Sequence, residues 1–225
     1  MQIERGAEIT MTTTRVHLDA VHAGYDGDDI LRGVNADLHA GAVTALVGDN
    51  GSGKSTLLGV LAGTHPLRSG RVRHHGPQRP AFVPQRSAVP DALPLTVVQT
   101  VRMGRWARRG AWRRLRREDH EAVAHCLARL DIADLAGRAL NTLSGGQRQR
   151  VLVAQGLAQE AELLLLDEPS TGLDTDARSA IAHVLAEERD RGRAVLVATH
   201  AAEEARGADR ILRLHGGRLS EGTTP

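Results

Sequence analysis

Lysine is all but missing from this sequence: of 29 basic residues only Lys54 is a lysine, so 29 − 1 = 28 are arginine. An ammonium is a compact point charge and a guanidinium a planar fork, so the exception marks position 54 as one that requires the ammonium. Aromatics are as scarce, at 2% of 225 residues. That excludes an aromatic core and leaves packing to Leu, Val, Ile and Ala. Apolar runs such as Leu163 to Leu166 fall far short of the roughly 20 residues that a membrane-spanning helix needs. Met1 to Thr14 has no apolar stretch followed by a cleavage site, which excludes a secretory signal and implies a cytosolic protein. Those residues read as a flexible tail, starting at Met1 or Met11, ahead of one domain over 15–225. A lone cysteine excludes an internal disulfide, and Cys126 lies in the helical pattern Glu118 to Leu130, which predicts a packed thiol.

What is present reads as one α/β unit with an insertion. From Val16 to Leu46, short β-branched runs broken by Gly24, Gly27, Gly33 and Gly41 predict a small antiparallel sheet. Ala45 to Val47 reads as a strand, Gly48 to Gly53 as a glycine-rich turn and Lys54 to Leu61 as a helix. Residues 86 to 159 carry helical patterns, of which 86 to about 143 read as an inserted helical subdomain. Strands follow at Leu163 to Asp167, Ala194 to Ala198 and, last, Arg210 to Leu214, with a helix over Thr175 to Arg189. The sequence ends soon afterwards, so no C-terminal regulatory domain is expected.

Three motifs carry chemistry. Gly48-Asp49-Asn50-Gly51-Ser52-Gly53-Lys54-Ser55, continued by Thr56, has the spacing of a phosphate cradle between a strand and a helix. Its glycines let backbone N–H groups turn inward, the helix start adds positive potential, Lys54 neutralises phosphates and Ser55 ligates Mg²⁺. Leu163 to Leu166 runs into Asp167-Glu168-Pro169, a buried strand ending in two carboxylates. Asp167 suits a metal ligand, and Glu168 is placed to orient or deprotonate an attacking water. In Leu143-Ser144-Gly145-Gly146-Gln147, Ser144 is placed to cap a helix starting near Gln147, which makes a second anion site from a hydroxyl, exposed N–H groups and a helix dipole. One chain therefore carries two phosphate binders.

In this order the motifs resemble those of the ABC ATPases, over about Val16 to Ser220. The resemblance implies a P-loop NTPase (RecA-like) α/β core with an N-terminal antiparallel β subdomain and an inserted α-helical subdomain, with ATP and Mg²⁺ as its ligands. It casts Tyr25 as the ring that stacks on adenine, Gln85 as the side chain that reaches metal and attacking water, and His200 as a hydrogen-bond partner of the γ phosphate. Ser170-Thr171-Gly172-Leu173-Asp174 becomes the segment that crosses between subunits. Ala201 departs from the commonest family pattern, which has Asp there, weakening the cap of the following helix. Two subunits are expected head to tail, so that ATP lies between residues 48 to 55 of one and Ser144 to Gln147 of the other.

The resemblance further implies a membrane permease as partner, a substrate-binding protein outside the cytoplasm, and a place at the cytoplasmic face of the membrane. Phe82-Val83-Pro84-Gln85-Arg86, Leu95-Thr96-Val97, Met103-Gly104-Arg105, the Trp112-Arg113-Arg114 run and Asp119 are similar to the zinc and manganese importer branch. The iron-siderophore and haem branch comes next, and a soluble ATPase acting on nucleic acid after that. Between Arg102 and Arg117 eight arginines interleave with Trp106 and Trp112, a pattern open to three readings: a solvated face, a nucleic-acid patch, or a surface facing an anionic leaflet. The coiled coil of the family's repair proteins and the doubled cassette of its translation factors are both missing, so no nucleic-acid partner is expected. The scattered histidines do not bear on cargo, and His74-His75 reads as a strand-edge pair rather than a zinc site.

Overall fold

In the computed structural model, which describes residues 13–25, 27–76, 79–85, 94–110, 113–200 and 204–222, alternation builds the first sheet. Along β1 (Thr14–Tyr25), Val16, Leu18, Val21 and Ala23 are buried. The phase slips between Leu18 and Val21, where Ala20 takes a positive φ of 45° and the register shifts. This β-bulge returns both apolar pairs to the same face. β1 pairs antiparallel with β2 (Asp28–His39) on one side and β4 (Ser69–His74) on the other.

The inner strands of the second sheet, such as Leu163–Asp167 and Ala194–Thr199, are nearly continuous apolar runs, as strands covered on both faces must be. Its order is β5 (Ala81–Val83), β6 (Leu163–Asp167), β7 (Ala194–Thr199), β3 (Ala42–Val47), β8 (Arg210–His215) and β9 (Arg218–Gly222). All pairings are parallel except β8 with β9. Alternate residues of β6 feed two cores. Leu163 and Leu165 pack with Leu18, Leu46 and Leu58, beneath the first sheet and α1 (Lys54–Ala62). Leu164 and Leu166 pack with Val83, Val151 and Ile181, on the helical side.

Two sequence-based expectations change here. The run to Leu46 is not one antiparallel sheet: at Gly41, with φ of 66°, the chain turns, and β3 joins the parallel sheet from Ala42 onward. Its short apolar residues need both cores, Val43 and Ala45 in one and Leu46 in the other. Nor is Arg210 to Leu214 the last strand, because β9 folds back through Gly216 and Gly217. Both have positive φ, 54° and 78°, the requirement of a two-residue hairpin turn.

Between β5 and β6 the described elements are α2 (Val97–Arg109), α3 (Arg117–Arg129), α4 (Gly145–Leu157) and two short 3₁₀ turns. α2 lies so close to α4 that a Cβ on Gly104 would meet the Gln155 carbonyl at 2.2 Å, a contact only glycine allows. Much of the arginine run is paired within this unit. Arg105 Nε donates to Asp119 Oδ1 at 2.8 Å with both side chains buried, Arg109 Nε lies 2.6 Å from Oδ2, and Arg108 pairs with Glu160. Arg105 also donates to the Ala158 carbonyl at the end of α4, tying three helices together. Cys126 is buried, and burial pushes its thiol up to about 11. Among the described residues no helix is long and apolar enough to cross a membrane.

Burial opposes the charge on Asp119, but the Arg116 amide and the Arg109 and Arg105 guanidinia outweigh it and hold the carboxyl well below the usual carboxylate range. Asp119→Ala would remove the buried carboxylate shared by Arg105 and Arg109, which keep the Ala158 carbonyl, Glu160 and Glu118 as partners, and is expected to destabilise the fold by about 3 kcal/mol in denaturant titration. A lowered pKa contributes stability that is complete above the unfolded value of 3.8 and is lost as pH falls below it. The difference between wild type and variant should therefore shrink on acidification below about pH 4, and a constant difference would contradict this account.

Candidate functional site

The phosphate loop is shaped by what its glycines avoid. A Cβ on Gly48 would meet the Leu214 carbonyl at 2.4 Å and Ser52 Oγ at 2.6 Å, while Gly51 and Gly53 take φ of 80° and 105°. The chain thus leaves β3 in a tight curl that any side chain would open. Lys54, 5% exposed, folds back into the curl and donates to the Gly48 carbonyl at 2.7 Å and the Asp49 carbonyl at 3.1 Å. A buried ammonium beside a helix start is a strong anion site. An open cleft of about 400 Å³ lies in front of it, lined by Ile30, Asn50, Gly51, Gly53, Lys54, Ser55, Thr56, Gln85 and Glu168.

On the far wall β6 delivers its two carboxylates. Burial pushes the Asp167 carboxyl up; the Ser55 hydroxyl opposes this by hydrogen bonding, the Glu168 charge adds to it and the Lys54 charge again opposes. Glu168 takes a φ of 48°, a left-handed conformation strained for a residue with a Cβ, and its amide is held to the Ala198 carbonyl at 3.0 Å. Four donors from four segments surround its carboxylate. Gln85 Nε2 and Thr171 Oγ1 donate to Oε2 at 3.3 and 3.2 Å, while His200 Nδ1 and Lys54 Nζ lie 3.3 and 4.0 Å from Oε1.

Asn50, Gly51, Gly53 to Thr56, Gln85 and Glu168 therefore line one cleft, with Asp167 bonded to Ser55 and His200 set against Glu168 just behind that lining. The structure leaves two predicted groups apart. Ser144 caps α4 in a reciprocal box: the Gln147 amide donates to Ser144 Oγ at 3.2 Å and the Ser144 amide to Gln147 Oε1 at 3.0 Å. The helix starts at Gly145 rather than near Gln147, because the cap is Ser144 itself. Gly146 packs against Ala177 and Asp174 at the start of α5 (Thr175–Asp190), and none of Ser144, Gly145, Gly146 or Gln147 lines the Lys54 cleft. Tyr25 is 55% exposed, with its ring 4.6 Å from that of His65, and it too lies off the cleft lining. Arg86 and Ala201 lie outside the described residues.

Ile30 on the cleft and Thr171 on Glu168 were not singled out from sequence for these contacts. Thr171 had a usable signal, since it follows Glu168 by three residues in a Pro-Ser-Thr-Gly turn. Ile30 had none, because its place depends on how β2 packs over the loop.

A Gly-rich loop closing on a buried lysine, opposite a carboxylate pair on the adjoining strand, can bind a polyphosphate and polarise a water beside it. Residues 31–171, more than half of the chain, match the family model described as ABC transporter. The chain belongs to that family. It is thus a nucleotide-binding ABC ATPase, with the α/β core of a P-loop NTPase. Among relatives, the hemin import ATP-binding protein HmuV of Streptomyces coelicolor is 42% identical, with 91% of this chain and 75% of that protein covered. The manganese transport system ATP-binding protein MntB of Bacillus subtilis is 35% identical, covering 93% and 86%. The dimeric post-hydrolysis structure of the ABC cassette MJ0796 bound to ADP and Pi has a TM-score of 0.81 at 26% identity, covering 93% of this chain and 99% of that one.

Proposed function

We propose that this ABC ATPase powers an importer for a divalent metal ion, zinc or manganese, with Glu168 as the base in ATP hydrolysis. In this reading the amides of residues 48 to 53 and the Lys54 ammonium bind the β and γ phosphates, with Ser55 and Thr56 completing the cradle. Glu168 takes the proton of the attacking water, oriented by Gln85. His200 touches Glu168 through one ring nitrogen and is 45% exposed, which leaves its other nitrogen open to a γ-phosphate oxygen. The Ser55 hydroxyl, the buried Asp167 carboxylate to which it is bonded and the Gln85 amide form an all-oxygen donor set that fits Mg²⁺. When bound, Mg²⁺ neutralises charge on the phosphates.

Because Ser144 to Gln147 line no part of the chain's own cleft, they are assigned to the nucleotide of a second copy packed head to tail, as is Tyr25 to the adenine of its own. The dimeric ADP-bound cassette supports the association of two copies. Partners in this reading are a membrane permease met by residues 86 to 143 at the cytoplasmic face and a substrate-binding protein on the other side. Pairing of Arg105, Arg108, Arg109 and Arg117 with Asp119, Glu160, Glu118 and Glu121 lowers the net charge of the arginine run, which favours a docking face over a nucleic-acid patch.

The cargo assignment is carried by the segment Phe82 to Asp119, whose similarity to zinc and manganese importers includes Arg105 and Asp119, the buried pair on which α2 and α3 are assembled. A second reading, haem or an iron chelate, is favoured by the 42% identity to the hemin import protein. Cells lacking this chain should grow poorly under metal chelation and recover with zinc or manganese but not with haem. Gln85→Ala should reproduce the defect while leaving ATP affinity within a few-fold. Rescue by haem or a siderophore alone would overturn the zinc and manganese assignment in favour of the second reading.

A further inference from the structure

Glu168 has more partners than a base can keep during the reaction. In the reading above Lys54 and His200 turn toward phosphate and Gln85 toward the water, so three of the four groups around the carboxylate acquire other work when ATP binds. Thr171 does not. Its hydroxyl donates to Oε2 at 3.2 Å, and its amide approaches the Glu168 carbonyl at 3.4 Å, closing a tight turn directly after the base. Donor and acceptor therefore belong to one short loop whose far end is fixed by the Glu168 amide on the Ala198 carbonyl at 3.0 Å. Glu168 lies just past the end of β6 on a backbone with φ of 48°, so hydrogen bonds set the rotation of its carboxylate, and the Thr171 hydroxyl is the donor supplied by its own turn.

We propose that Thr171 is a positioning residue for hydrolysis: by holding Oε2 it fixes the rotation of the Glu168 carboxylate and keeps Oε1 toward the cleft, where the water must be met. The inference rests on Glu168 being the base. Thr171 is exposed, so replacing it perturbs the turn's hydrogen bond and not the core. It lies off the lining of the Lys54 cleft, which separates its effect on turnover from the chain's own phosphate contacts.

The test is steady-state phosphate release by the full chain across an ATP titration. Thr171→Val, which keeps shape and removes the donor, should lower kcat about tenfold, equivalent to about 1.4 kcal/mol, with KM for ATP changed less than about twofold. Thr171→Ser should restore kcat to within about twofold of wild type. In a Glu168→Gln background, Thr171→Val should alter the residual rate by less than about twofold, because the hydroxyl acts through that carboxylate. A Thr171→Val enzyme with wild-type kcat, a Thr171→Ser enzyme as slow as Thr171→Val, or an equal loss in the Glu168→Gln background would each overturn the inference while leaving Glu168 in place. Glu168→Gln turning over like wild type would instead remove the reading beneath it.

Discussion

Lys54→Ala is expected to weaken ATP binding by at least about a hundredfold, roughly 2.7 kcal/mol, since a charge-assisted hydrogen bond contributes about 1.5–3 kcal/mol and Lys54 is poised to make more than one. The ammonium is already held in place before any ligand arrives, buried and bonded to the Gly48 and Asp49 carbonyls. Little entropy is lost when phosphate oxygens arrive at it. Its removal leaves two inward carbonyls without a donor, directed at the space that the phosphates enter. Lys54→Arg should fail nearly as badly, because the curl that closes on Gly48, with Ser52 Oγ 2.6 Å from where a Cβ would stand, has room for a point charge and not for a planar fork. Titration of both variants with ATP, followed calorimetrically, checks this. Wild-type affinity in Lys54→Ala would place the nucleotide elsewhere.

Glu168→Gln should bind ATP as wild type does and, in its presence, accumulate as a dimer. Glutamine keeps the size of the side chain, and its one carbonyl oxygen can still accept from Gln85 and Thr171, but it cannot accept the water's proton. ATP then persists at an interface that it helps to build, and the two chains stay closed. Ser144→Arg placed in the same chain should prevent this, since a guanidinium at the cap of α4 fills the place of the incoming phosphate and removes the hydroxyl that the Gln147 amide uses. Light scattering reports both states. A dimer that forms without ATP, or that tolerates Ser144→Arg, would contradict the shared site.

The elements read most surely from sequence were those whose residues answer to one neighbour. β6 was legible to the residue because four leucines followed by two carboxylates admit one reading, a buried strand stopping at a polar edge. α1 followed from its glycine loop, α5 and β7 from periodicity alone. β3 was split between two units, Ala45 to Val47 read as the α/β strand and the residues before it as part of the antiparallel sheet, and only the parallel pairing with β7 and β8 joins Ala42 to Val47 as one strand. β9 was overlooked although the Gly216-Gly217 pair announces a hairpin, its strand being too polar to stand out. Of the site, the loop and the carboxylates were legible as local motifs. The four-sided enclosure of Glu168 was not, because Gln85, Thr171 and His200 come from three segments brought to one point by the order β5-β6-β7 in the sheet.

The proposed reaction is hydrolysis of ATP bound at Lys54, with Glu168 as base. Phosphate release from ATP by wild type and by Glu168→Gln, measured side by side on chains shown to bind ATP with equal affinity, tests it most directly. Steady turnover is expected in the first and a loss of at least about a hundredfold in the second, in the range of a general base at about 10²–10⁴-fold; equal rates in the two would rule out Glu168 as the base.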